Sequence, residues 1–127
     1  MALPTTARVE AAPNFLATLD DANEFFVQQD AESAAKRLDS LKAALREMVS
    51  ILGWSPASSR PARFLTSKSV QAQLRVKPVI ELATAVGLPN LREYVAGQHI
   101  VLYAHSDTEV VLLAIKHQRQ LTYAATD

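Results

Sequence analysis

The chain has 127 residues, 13 Lys/Arg against 13 Asp/Glu, a formal net charge of zero, 49% hydrophobic residues and no cysteine. That length suits one core rather than two full-sized domains, the composition excludes wholesale disorder, and the missing cysteines exclude disulfides and thiolate metal sites. With eight aromatics in all, the core must be built mainly from Leu, Val, Ile and Ala.

Thr5–Ala12 reads as a first short strand, halted by Pro13. Nothing in Met1–Glu10 resembles a leader's apolar stretch, and the longest unbroken apolar run, Val110–Ile115, is strand-sized rather than membrane-spanning, so a cytoplasmic protein with no membrane contact is expected. Pro13 and Asn14 suit a helix start. Phe15, Leu19, Ala22 and Phe26 then recur on one helical face, and Gln28–Asp30 interrupt the pattern, with Asp30 able to cap a second helix. In that helix Ala34, Leu38, Leu41, Leu45, Met48 and Leu52 repeat every three or four residues, while Lys36, Arg37, Asp39, Lys42, Arg46 and Glu47 lie off the seam. Gly53 stands where a left-handed cap belongs, Pro56 prevents resumption, and Trp54 is expected to close the end of the core. The two helices should form an antiparallel hairpin that needs a further layer to cover its apolar face. Phe15, Leu19, Phe26 and the Leu38–Leu52 seam offer more apolar surface than a small sheet is expected to hide.

Ser55–Lys68 is Ser/Pro-rich and reads as a surface connection carrying Arg60 and Arg63, with a short strand near Phe64–Leu65. Residues 66–88 read as a helical insertion that breaks or restarts near Lys77–Pro78, because proline lacks the amide and disfavours the preceding turn, and that ends at Gly87 and Pro89. Three extended segments follow: Leu91–Val95, Gln98–His105 after a turn at Ala96-Gly97, and Glu109–His117 after Ser106–Thr108. The last is apolar on both alternations, as a central strand covered on both faces requires. A further extended piece is expected at Leu121–Tyr123, and Ala124–Asp127 should fray. The expected fold is α+β in a single domain over residues 1–127: an N-terminal strand and an antiparallel helical hairpin packed on a small, mainly antiparallel sheet.

Charge is uneven. Residues 1–59 carry three more acidic than basic groups and residues 60–127 the reverse, so an anionic partner should meet the second half. Histidine is the side chain suited to proton transfer at physiological pH, which marks His117 as a candidate acid or base. Arg119, two residues on, shares its face if the strand continues, as does Tyr123, which could stack on a base or orient a phosphate. Arg92 on a neighbouring strand could supply the second side of a phosphate clamp. The plain alternative is a solvated strand end with a tyrosine packed on the sheet. Glu93 should point away from Arg92 and is expected to pair with a cation at the surface. His99 and His105 share a face but lie too far apart for one metal, roughly 20 Å by strand rise.

The stretches LREYVAGQHIVLYAHSD (residues 91–107) and EVVLLAIKHQRQLTY (residues 109–123), following the helical hairpin, resemble the RelE/ParE superfamily of bacterial type II toxins. The likeness spans roughly residues 9–123. Leu91-Arg92, Tyr103, His117, Arg119 and Tyr123 occupy the family's recurrent positions, though the chain offers fewer basic residues than its nuclease members usually spread over the sheet. The resemblance implies a growth-arresting toxin needing no cofactor or metal, neutralised by a cognate antitoxin from the adjacent gene, with a homodimer left open. It further implies one of two targets. A ribosome-dependent mRNA endonuclease would use Arg92, His117, Arg119 and Tyr123 as its catalytic set, and the spacing of Tyr123 from Arg119 leans toward it. A non-enzymatic DNA gyrase inhibitor on the same fold, or a degenerate interaction domain, is the alternative.

Overall fold

A computed structural model describes residues 6–62, 70–120 and 123, with backbone alone for 70–76. The elements run β1 (Arg8–Ala11), α1 (Pro13–Gln29), α2 (Ala31–Trp54), β2 (Arg60–Pro61), α3 (Val70–Val86), β3 (Asn90–Ala96), β4 (His99–His105) and β5 (Glu109–His117). The fold is α+β, with three helices and a five-stranded mixed sheet of order β1-β5-β4-β3-β2 among the described residues. β3, β4 and β5 form an antiparallel meander, β1 joins β5 in parallel, and β2 joins β3 antiparallel over two residues. Phe64–Leu65, Leu121 and Thr122, and Ala124–Asp127, where a strand, an extended piece and a frayed end are expected, lie outside the described residues.

The helical hairpin forms as its periodicity requires. Pro13 opens α1 at a position whose amide would be unpaired in any case. Only Asp30 separates the helices, and its carboxylate accepts from the Glu32 amide at 3.1 Å, capping α2. Phe15, Phe26, Ala34, Leu41, Leu45, Met48 and Leu52 are buried with Val101, Tyr103, Val110, Leu112 and Ile115 of the sheet. The sheet therefore covers most of the hairpin seam, leaving Leu19 and Leu38 partly buried, so less apolar surface stays uncovered than the sequence leads one to expect. Gly53 is also reassigned: α2 continues to Trp54, only Gly87 and Gly97 take positive φ among the described residues, and the Gly53 carbonyl instead accepts the Thr6 and Ala7 amides at 2.8 Å each. Trp54, beyond it, is half-exposed rather than closing the core.

The opposite sheet face carries Ile100, Leu102, Ala104, Leu113 and Ala114, and α3 packs there through Val79, with Ala83 and Val86 alongside. The chain is thus layered helix–sheet–helix, which explains why β5 is apolar on both alternations. α3 is a single helix from Val70 to Val86 with Pro78 inside it, where a break is expected from sequence. The proline is exposed while its neighbour Val79 is buried, so the lost backbone hydrogen bond falls on the solvent side and packing of the sheet-facing residues outweighs it. Gly87, φ +74°, then ends the helix in the left-handed region. Among the described residues no helix is long and apolar enough to cross a membrane.

One irregularity governs the site. Between Leu102 and Tyr103 the β4–β5 register slips: Tyr103 lies opposite Leu112, but Leu102 lies opposite Ala114, leaving Leu113 as an extra residue. Val110 and Leu112 face the hairpin; Leu113 and Ala114 both join the α3 side; and Ile115 returns to the hairpin side. α1 secures this bulge, since Asn14 Nδ2 donates to the Leu113 carbonyl at 3.0 Å and Thr18 Oγ1 accepts the Ile115 amide at 3.1 Å.

Candidate functional site

Because of that bulge, His117 at the end of β5 faces the hairpin and Lys116 the other side; with unbroken alternation from Val110 the two would be exchanged. The same slip places His99 opposite His117. Their rings meet edge to face at 5.3 Å, and His99 meets Phe26 of α1 in the same manner at 5.8 Å. Arg37 of α2 lies over the Phe26 ring at 4.3 Å and donates to Gln29 Oε1 at 2.9 Å. A chain of ring and cation contacts thus joins α2, α1, β4 and β5.

These groups border a cleft of about 840 Å³ between the closed end of the hairpin and the end of the sheet, lined by Asp21, Glu24, Phe25, Arg37, His99, Lys116, His117 and Arg119 among others. Its sheet-side wall is a tight turn. The His117 amide donates to Gln120 Oε1 at 2.7 Å, the Gln120 amide to the His117 carbonyl at 3.0 Å, and Gln118 Nε2 to the Gly97 carbonyl at 2.8 Å. The Arg119 amide donates to His117 Nδ1 at 3.1 Å, so the proton of the neutral ring sits on Nε2, which is the nitrogen left to donate. Burial, then the neighbouring His117 and Arg37, lower the His99 pKa to about 4, keeping that ring neutral at neutral pH.

The structure does not bring the four expected residues together. His117 and Arg119 share the cleft. Arg92 faces the hairpin side too but sits opposite Tyr103, whereas the cleft lies at the His99 level, roughly 13 Å further along the strands and about 10 Å across two of them. Its Nε donates to His105 Nε2 at 3.0 Å and its Nη1 to the Ser59 carbonyl at 2.8 Å, in a corner where the Tyr103 hydroxyl also donates to the Pro56 carbonyl at 2.7 Å. Arg92 therefore ties the connection before β2 to the sheet. Tyr123 lies on the opposite face among the α3-side core, because β5 ends at His117 and the chain turns at Gln118-Arg119 instead of extending. Its hydroxyl donates to Glu93 Oε2, and Lys116 Nζ stands 5.3 Å from its ring.

Glu93 points away from Arg92, as strand alternation requires, but it is buried, 3% exposed, not at the surface. Its other carboxylate oxygen lies 3.8 Å from Arg60 Nε. Burial lowers the Lys116 pKa against the opposing pull of Glu93, with Arg60 adding to the lowering. His99 and His105 mark two different corners, and among the described residues no cluster of three or more His, Asp or Glu could hold a metal ion.

Sequence reasoning missed Arg37, which it left off the apolar seam of the hairpin, Phe25, to which it gave no place, and the partnership of His99 with His117. Counting back from the Ser106–Thr108 turn without a bulge puts His99 opposite Lys116, and only the extra residue shifts it to His117. No protein-family model matches the chain, and no curated protein matches it.

Proposed function

We propose that this chain is the growth-arresting toxin of a bacterial type II toxin–antitoxin pair of the RelE/ParE kind, acting in the cytoplasm as an mRNA endonuclease and neutralised by an antitoxin from the adjacent gene. The observation that carries the reading is the convergence of His117 and Arg119 with His99 and Arg37 in one open cleft at the end of the central strand. RNA cleavage beside a 2′-hydroxyl requires a proton acceptor for that hydroxyl, cations around the phosphate and a donor to the leaving oxygen. His117 suits the last of these as the imidazolium, giving its Nε2 proton to the leaving oxygen and returning to the neutral ring; the proton taken up at Nδ1 for that form displaces the bond accepted from the Arg119 amide. Arg119 suits the phosphate, and the acceptor falls to Asp21 or Glu24 on the α1 wall. Arg92 and Tyr123 have no part in this arrangement.

Their withdrawal is also the observation that favours a second reading. With the Arg92 guanidinium and the Tyr123 hydroxyl committed inside the fold, two members of the expected nuclease set are unavailable, as in a toxin that inhibits gyrase without cleaving RNA. Induced expression separates the two. Under the nuclease reading growth stalls with translation and new mRNA ends appear; under the gyrase reading a DNA-damage response is raised. His117→Ala and Arg119→Ala should each relieve arrest with native melting temperatures, since losing a proton donor or a phosphate cation lowers such rates by about two to four orders of magnitude. Full toxicity in both variants would end the nuclease reading, and absence of any arrest by the unaltered protein would end the toxin reading.

A further inference from the structure

Most cations on the sheet are spent within the fold. Arg92 bonds His105 and Ser59, Arg60 pairs with Glu93, and Lys116 donates to the Gln120 carbonyl at 3.0 Å. Arg37 and Arg119 differ: among the described residues neither forms an ion pair, and both line the cleft. Arg37 comes from the hairpin wall and Arg119 from the sheet-side turn.

We infer that Arg37, on α2, is the second phosphate-binding cation of the cleft, acting with Arg119 in the role that sequence assigns to Arg92. The inference rests on the nucleic-acid reading above. Arg37 uses one of its five N–H donors on Gln29, leaving a planar fork for phosphate oxygens. Its stacking on Phe26, itself held edge-on by His99, positions the guanidinium before any ligand arrives, so less side-chain freedom is lost on binding. The same wall carries Phe25, 48% exposed, an aromatic face on which an unpaired base can stack. A cation and an exposed ring that both line the cleft from the hairpin suit a single strand, with a phosphate on Arg37 and a base on Phe25.

The test is binding of a short fluorescent single-stranded RNA, followed by anisotropy over a range of salt concentrations. Variants are Arg37→Met, which keeps the apolar stem over Phe26 and removes the charge, Arg37→Lys, Arg119→Ala, and Arg8→Met on the distant sheet edge as control. Arg37→Met should weaken binding about tenfold or more and lower the slope of log K against log salt by about 0.7, the share of one phosphate on a single strand. Arg37→Lys should restore the slope but only part of the affinity, and Arg8→Met should change neither. A native melting temperature for Arg37→Met excludes unfolding as the cause. If Arg119→Ala loses affinity while Arg37→Met keeps both affinity and slope, the inference is overturned and the nucleic-acid reading stands. If the unaltered protein binds no RNA, both fall together.

Discussion

Tyr123 shows how a residue's role turns on which face of the sheet it reaches. From its spacing after Arg119 it suits a stacking or phosphate-orienting residue. In the fold it is 4% exposed on the α3 side, its hydroxyl donating to the buried Glu93, and burial followed by that bond and the Glu93 charge raises its pKa strongly. A buried tyrosine with a partner for its hydroxyl is a structural tie. Tyr123→Phe should therefore lower unfolding free energy by about 1–3 kcal/mol, the cost of removing one partner from a buried, charge-assisted bond. Growth arrest on induction should be unchanged. Chemical denaturation measures the first and a growth curve the second; arrest abolished in a stably folded Tyr123→Phe protein would return the hydroxyl to the active set. The four residues marked by their spacing were thus half recoverable. His117 and Arg119 are close in sequence and stay together, whereas Arg92 and Tyr123 depend on strand register and on where β5 ends.

Among the elements, α3 is where local chemistry and tertiary packing conflict most openly. Pro78 removes one backbone hydrogen bond from the middle of a 17-residue helix, which in isolation costs about 3 kcal/mol. Val79, 1% exposed, with Ala83 and Val86 at helical spacing, covers the sheet face that carries Leu102 and Leu113. Leaving that face bare would cost more than one bond, since each fully buried aliphatic side chain contributes roughly 1.5–3 kcal/mol. Because Pro78 is exposed, replacing it disturbs no core contact, and Pro78→Ala should stabilise the protein by about 1–3 kcal/mol in urea unfolding. No gain, or a loss, would mean that the proline matches a local geometry alanine cannot supply. The β3–β4 turn shows local chemistry and fold in agreement. Gly97 takes φ +62° in a two-residue connection between Ala96 and His99, where glycine carries no steric penalty.

For the molecule as a whole, β5 is the structural axis. It lies between β1 and β4, meets the hairpin on one face and α3 on the other, and ends in the cleft. Leu113, fully buried at the bulge, links these functions, because the extra residue both fills the α3-side core and turns His117 toward the hairpin. Leu113→Ala should cost about 2–5 kcal/mol, the range for a buried leucine whose cavity cannot fully collapse. Deleting Leu113 loses the same buried side chain but removes the extra residue itself, so regular alternation keeps Lys116 and His117 on their native faces and the cost should be of similar size. Guanidinium unfolding compares the two changes; a deletion variant much less stable than Leu113→Ala would show that the bulged backbone bonded to Asn14 and Thr18 itself contributes to stability.

The identity and order of the elements, β2 at Arg60–Pro61 in the expected surface connection apart, were determined by the sequence itself. The seam from Ala34 to Leu52, the capping Asp30, the turn at Gly97 and the doubly apolar run at Val110–Ile115 each carry a local signal, a periodicity or a backbone requirement, that holds wherever the segment is placed. The single-helix reading of α3, the burial of Glu93, the parallel pairing of β1 and the membership of the cleft were decided only by tertiary structure. Each depends on free energy exchanged between distant segments: a sheet face that must be covered, an ion pair made across the sheet, a bulge whose backbone is satisfied by Asn14 and Thr18 some 97 to 99 residues earlier in the chain. Period-two alternation carries no mark of the position at which one residue is skipped. That skipped residue sets which side chains meet Arg37 at the end of the hairpin.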